Sequence, residues 1–251
     1  MIVEDLKAGK RAVGTMVRFV RNPSVAWMVK NGGLDFFMYD VEHGAYDTAH
    51  WADTFSVCRA LGIGGFIRVP ELSKGYISKA LDAGAVGVMV PMLETVSQAE
   101  RLVEWAKFTP VGKRGFGSNG GHTEYGSPKG GTAAFMEMSN RETLTIAQIE
   151  TEDGITNVDA IAATEGIDAL LIGPNDLSLS LGVPGDLMGD VLHQAIGKVA
   201  AAAKANNKVF GLHAPDALLE RWIPEGCNLI MSGLDSGILS KGFASIAEKF
   251  K

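Results

Sequence analysis

The sequence predicts a closed (β/α)8 barrel, and three observations carry that expectation. Strand-like runs alternate with helix-like runs along the whole chain, the pattern of parallel strands joined by helical crossovers. About eight such pairs fit into 251 residues, the size of one barrel domain, so residues 1–251 are read as a single unit. No strand followed by Gly-x-Gly-x-x-Gly and a helix stands near the start, which disfavours an open dinucleotide-binding sheet.

Residues 12–16 form the first expected strand. Asn22 then stands before a proline at the first position of a helix over 23–31. Residues 35–40 give a second strand, and 48–61 a helix that Gly62 stops. The third strand, 65–69, ends at Pro70. The helix over 73–83 ends at Gly84, and the fourth strand, 86–90, ends at Pro91. An amphipathic helix covers 95–108. Residues 110–131 carry eight glycines and two prolines and read as a long loop. The fifth strand, Leu144-Thr145-Ile146-Ala147-Gln148-Ile149-Glu150, is apolar and β-branched until it stops in acid. Strands over 168–172, 208–213 and 228–231 follow, separated by helices, and a helix over 237–250 comes last.

Composition narrows the class. Hydrophobic residues make up 46 % and charged residues 21 %, an ordinary globular balance. A net charge of −6 lacks the basic footprint that nucleic acid requires. The two cysteines, Cys58 and Cys227, lie in apolar settings and suggest no disulfide framework. No run of about 18 apolar residues is present, so no membrane span is expected. The first residues lack a signal-peptide core, and the expectation is a cytoplasmic protein.

In such barrels the chemistry sits at the C-terminal ends of the strands. Those ends offer Asp40, Glu42 and His43, then Arg68, then Gln148 and Glu150. Asn175 and Asp176 follow Gly173-Pro174, and His213 and Ser232 close the ring as weaker candidates. Alternation along the fifth strand turns Glu150 inward with Gln148 and Ile146. A buried carboxylate needs a partner. Asp176, at the next strand exit, makes a second acid. Two carboxylates suit Mg²⁺ or Mn²⁺, with water and substrate completing the shell. The alternative is that Arg68 pairs with one carboxylate while the other caps the following helix. Asp40 is three residues before His43, a spacing that lets a carboxylate orient an imidazole as a base, although a turn histidine satisfied by backbone fits as well. Arg68 is a fixed cation for an oxyanion.

No lysine occupies a strand interior or exit, so Schiff-base chemistry is not expected and no organic cofactor is implied. The loop around Gly112-Lys113-Arg114-Gly115-Phe116-Gly117 lacks the Lys-Ser/Thr of a P-loop. It reads as an anion-binding backbone or a mobile lid.

Tyr39-Asp40-Val41-Glu42-His43-Gly44, Gln148-Ile149-Glu150-Thr151 and Ile172-Gly173-Pro174-Asn175-Asp176-Leu177 resemble the motifs of the metal-dependent pyruvate aldolases. These are the 4-hydroxy-2-oxo-heptanedioate and 2-dehydro-3-deoxy-galactarate aldolases of the wider citrate lyase β-chain group. Arg68-Val69-Pro70, Val90-Pro91-Met92 and Gly112-Lys113-Arg114-Gly115 fit in the same order. The resemblance implies a phosphoenolpyruvate/pyruvate-type barrel whose last helix is exchanged between subunits of a dimer-based hexamer. It implies that Glu150 and Asp176 hold Mg²⁺, Mn²⁺ or Co²⁺. Gly173, Pro174, Asn175 and Gln148 would touch a 2-oxo acid, Arg68 would stabilise an enolate, and His43, oriented by Asp40, would move the 4-hydroxyl proton. Asp82 would approach a neighbouring subunit's site. The implied activity is reversible cleavage of a 4-hydroxy-2-oxo acid to pyruvate and an aldehyde. The glycine-rich segment 116–125 departs from the heptanedioate enzymes. Alternatives are oxaloacetate decarboxylation, a related carbon–carbon lyase, or a non-catalytic dicarboxylate-binding barrel.

Overall fold

The structure is a computed structural model and describes residues 2–251. Its strands are β1 (Ala12–Val17), β2 (Phe36–Asp40), β3 (Gly64–Arg68), β4 (Gly87–Val90), β5 (Leu144–Ile149), β6 (Ala169–Ile172), β7 (Val209–His213) and β8 (Leu229–Leu234). They close into a barrel in chain order, with β8 returning to β1. All neighbouring pairs are parallel. The helices are α1 (Ile2–Lys7), α2 (Val25–Asn31), α3 (Thr48–Leu61), α4 (Lys74–Asp82), α5 (Val96–Ala106), α6 (Thr132–Glu142), α7 (Glu152–Thr156), α8 (Val158–Ala163), α9 (Pro174–Ser180), α10 (Asp190–Ala205), α11 (Asp216–Trp222) and α12 (Asp235–Phe250).

Local chemistry sets these limits. Asp47 starts α3 by accepting from the backbone N–H groups of Ala49 and His50, and Gly62 ends it at φ 68°. Thr95 and Gln98 form a reciprocal capping box at the start of α5. Two helices were not anticipated. The short α1 would be marginal alone, but Val3 and Leu6 are buried in the barrel's inner cluster, and Asn228 donates to the Leu6 carbonyl at 2.9 Å. The second, α6, grows out of the end of the long loop.

Strand alternation divides the core in two. Met16, Phe36, Met38, Phe66, Met89, Leu144, Ile146, Leu171, Leu229 and Met231 fill the barrel interior. Val17, Phe37, Tyr39, Ile67, Val88, Ala147, Ile149, Leu170 and Leu212 face outward into the helix layer. The interior is therefore a packed plug closed below by α1, and only its upper end is free for polar groups.

The last helix stands apart. Asp235 is its only buried residue, whereas Ile238, Leu239, Phe243, Ile246 and Phe250 are exposed along it. The Asp235 carboxylate accepts from the backbone N–H groups of Phe19 and Val20, each at 2.8 Å, and so ties the start of α12 to the turn after β1.

Candidate active site

The inward positions of the strands continue past the apolar plug as a ring of polar groups. Two residues beyond Met16 comes Arg18, beyond Met38 Asp40, and beyond Phe66 Arg68. Beyond Ile146 come Gln148 and Glu150, beyond Leu171 Gly173, and beyond Gly211 His213. Arg18 is the member that the sequence reading missed. The first expected strand stopped at Met16, so its exit seemed to carry nothing.

Asp40 is fully buried and sits directly beside Arg68 in the strand register. Its Oδ1 accepts from Arg68 Nε at 3.0 Å. Its Oδ2 accepts from Arg18 Nε at 2.7 Å and lies 2.9 Å from Arg68 Nη2. Burial alone would raise the Asp40 carboxyl, but Arg68 and Arg18 outweigh it and hold the group below the ordinary aspartate range. Arg68 also reaches Glu42, with Nη1 2.9 Å from Oε2. All three of its nitrogens are thus engaged, and Nη2 also donates to Met16 Sδ at 3.9 Å.

This arrangement corrects one expectation. Asp40 does not orient the His43 imidazole, because its oxygens are taken by two arginines. It meets His43 only through the backbone N–H, at 3.3 Å. The carboxylate nearest the imidazole is Glu42, with Oε2 3.8 Å from Nε2. His43 itself is half exposed at the mouth. His213 faces the Gly233 carbonyl at 3.1 Å, and burial pushes its pKa down. Ser232 turns away to Asp216, at 2.8 Å.

Glu150 is different in kind. It is 2 % exposed, and no arginine or lysine pairs with it. Arg68 is engaged with Asp40 and Glu42 instead, so Glu150 relies on neutral donors. Oε1 accepts from the Met92 backbone N–H at 2.9 Å, and Oε2 from Gln148 Nε2 at 2.5 Å. Met92 donates from a left-handed backbone at φ 50°, a costly conformation for a side chain of that size. Burial pushes the Glu150 carboxyl up to about 7. The Met92 N–H opposes this, and the neighbouring charges of Asp176 and Glu42 add to it.

Asp176 lies exposed in the first turn of α9, which begins at Pro174, so it is not the helix cap. Gly173 caps the helix and Asn175 is exposed beside it. A Cβ on Gly173 would run into the Glu150 carboxylate and stand 2.8 Å from Gln148 Nε2. With no side chain there, both groups lie close against the Gly173 backbone. Gln148 Oε1 is buried with no donor reaching it. A buried carboxylate without a cationic partner, a second acid whose charge it feels and a buried amide oxygen without a donor fit a divalent cation. Among the described residues no three His, Cys, Asp or Glu side chains converge into a complete cage, so substrate and water would have to finish the shell.

Asp82 is not brought to this ring. It ends α4 at the strand-entry face, where its Oδ1 accepts from Arg114 Nη2 at 2.6 Å. The glycine-rich loop lies on that face too. The His122 ring nitrogens face the carbonyls of Asp82 at 3.1 Å and Gly117 at 2.9 Å, and Arg114 stacks on Phe108. A lid over this chain's own site is therefore excluded, because the loop follows the bottom end of α5, on the far side of the plug.

Known proteins resemble this chain over nearly its whole length. The model of the HpcH/HpaI aldolase/citrate lyase family matches residues 18–241. The chain belongs to this family. A 4-hydroxy-2-oxovalerate aldolase from Novosphingobium aromaticivorans is 32 % identical over 245 residues, covering 96 % of this chain and 92 % of that protein. A 5-keto-4-deoxy-D-glucarate aldolase from Escherichia coli O6:H1 is 30 % identical over 231 residues, covering 92 % of this chain and 89 % of the other. A crystal structure of an HpcH/HpaI aldolase from Desulfitobacterium hafniense DCB-2 superposes with a TM-score of 0.93 at 30 % identity, covering 99 % of this chain and 95 % of that one. Family membership makes this chain an enzyme of the carbon–carbon lyase class, which sets aside the non-catalytic binder. Among the described residues no helix is long and apolar enough to cross a membrane.

Proposed function

We propose that this chain, read as one barrel domain, reversibly cleaves a 4-hydroxy-2-oxo acid to pyruvate and an aldehyde. The observation that carries the reading is Glu150. It is a buried carboxylate without a cationic partner, beside Asp176 and two strands round the rim from Arg68. Glu150 and Asp176 would hold Mg²⁺, Mn²⁺ or Co²⁺, which when bound supplies Lewis-acid polarisation of a keto group. Gln148 and the Met92 N–H hold the Glu150 carboxylate against the Gly173 backbone. The backbone from Gly173 to Asn175, which opens α9 beside Glu150, would receive the substrate carboxylate. Arg68, held in place by Asp40 and Glu42, turns its fixed positive charge to the oxygen that becomes negative as the C3–C4 bond breaks. His43 takes the 4-hydroxyl proton through water, with Glu42 as its nearest acid.

The bare apolar face of α12, with Trp27 and Met28 also exposed on α2, supports packing against further copies. The same face supports an exchanged last helix in a dimer-based hexamer, with Asp82 offered to a neighbour's site. A cytoplasmic location belongs to the same reading.

The test is pyruvate release from 4-hydroxy-2-oxo acids with each cation, together with CO₂ release from oxaloacetate. Glu150→Ala, or a chelator, is expected to lower pyruvate release by about 10³-fold or more. Turnover that survives both would sink the cation's role. His43→Ala is expected to cut cleavage by about 10²–10⁴-fold while Mn²⁺ still binds.

A further inference from the structure

Two arginines share the Asp40 carboxylate, but they are held in different ways. Arg68 commits all three nitrogens to Asp40 and Glu42. Arg18 commits Nε alone, and among the described residues neither of its terminal nitrogens has a partner. Its side chain is 26 % exposed at the mouth. Four of its five N–H groups are therefore open, arranged in the planar fork that matches a carboxylate. Asp40 fixes the fork by its root, so little conformational freedom is lost when a ligand meets the far end.

Its place in the ring matters as much. In a closed barrel of eight strands ordered as the chain runs, β1 stands opposite β5. Arg18 follows β1 and Glu150 follows β5. A molecule whose head lies at the Glu150 side and which extends across the mouth arrives at Arg18. His213, at the end of β7, turns its Nε2 to a backbone carbonyl and so does not take up the open fork.

We propose that Arg18 is the far anchor of the site, a specificity-determining residue that selects substrates carrying a second carboxylate at the end opposite the 2-oxo acid head. The inference rests on the reading of the Glu150–Asp176 side as the seat of that head. It favours an aldehyde fragment with an acid group over a plain alkyl one.

Two acids of equal chain length, 2-oxoglutarate and 2-oxopentanoate, share the head and differ in the far carboxylate. Neither has a 4-hydroxyl, so neither is cleaved. Calorimetric titration of the whole protein with Mn²⁺ present is expected to give about 100-fold tighter binding of 2-oxoglutarate. Arg18→Met is expected to bring the two affinities within about threefold, and Arg18→Lys to keep a reduced preference, because it retains the charge but not the fork. Equal binding of the two acids by the wild-type protein overturns the proposal without need of any variant. So does an Arg18→Met protein that keeps the full ratio, or one that weakens both acids alike, which would make Arg18 only a support for Asp40. The lyase reading is judged separately by pyruvate release. A protein that prefers 2-oxoglutarate yet cleaves no 4-hydroxy-2-oxo acid keeps the anchor and loses the lyase.

Discussion

The two ends of the barrel both bury charge, and they do it in opposite ways. At the strand-entry face Lys107 is 2 % exposed and gives its three N–H groups to the Asn140 carbonyl at 2.9 Å, the Thr143 carbonyl at 2.5 Å and Asp168 Oδ2 at 2.7 Å. Asp168 also receives Lys7 at 2.7 Å and the Thr145 N–H at 3.0 Å. Every valence there is met inside the protein. Burial still pushes Lys107 down to about 8, but its lone-pair partners are complete and nothing is left to offer a ligand. At the strand-exit face Glu150 has neutral donors only, Gln148 Oε1 has none and Arg18 keeps its fork open. A buried charge with a full set of partners is structure. One that the fold leaves short is where a ligand belongs.

Removing a partner at the closed end should cost most in stability. Lys107→Met strands Asp168 and two carbonyls, and is expected to cost about 3–5 kcal/mol, lowering Tm by roughly 10 °C. Pyruvate release per folded molecule at low temperature should not change. A loss of turnover in proportion to the loss of stability would erase the distinction between the ends.

The open end should respond with the reverse sign. The folded pKa of Glu150, about 7, lies above the ordinary 4.5. Its contribution is therefore fully present below about pH 4.5 and lost as pH rises through about 7, a cost of up to ~3 kcal/mol. In chelator, Tm is expected to fall by roughly 8 °C between pH 5 and pH 8, and Glu150→Gln should remove most of that fall. A wild-type Tm that does not drop over that range would show that Glu150 is not short of partners. Gly173→Ala pushes a methyl against the Glu150 carboxylate and should weaken Mn²⁺ about 10–100-fold, read by calorimetry, with the helical circular dichroism retained. Unchanged affinity would move the cation elsewhere. The smallest effect tests whether position alone confers function. Thr95 caps α5 at the exit face but has its partners, so Thr95→Ala should cost about 1 kcal/mol in stability and leave turnover as it was.

Most of the barrel was legible because its signal is local: β-branched runs, prolines at strand ends and glycines at helix ends. The ring was legible because alternation carries inward positions past the plug, which places Asp40, Arg68, Gln148 and Glu150 together. Arg18 obeyed the same rule and was lost to a strand ended one residue short, at Met16 rather than Val17. The Asp40–His43 pairing failed for a reason that spacing could not show. The carboxylate's competitor, Arg18, comes from another strand, 22 residues away. The loop over residues 110–131 suggested a lid by composition, but the side of the barrel it lies on depends on which end of α5 it leaves. Following the chain strand by strand supplies that information, and composition does not.

Asp235 gives the last helix a second significance. Two hydrogen bonds from the Phe19 and Val20 backbone end on its carboxylate, one and two residues after Arg18. The helix is a lever of 16 residues whose short arm is bolted to the rim. The turn that carries Arg18 and the bare apolar face of the helix therefore share one point of attachment.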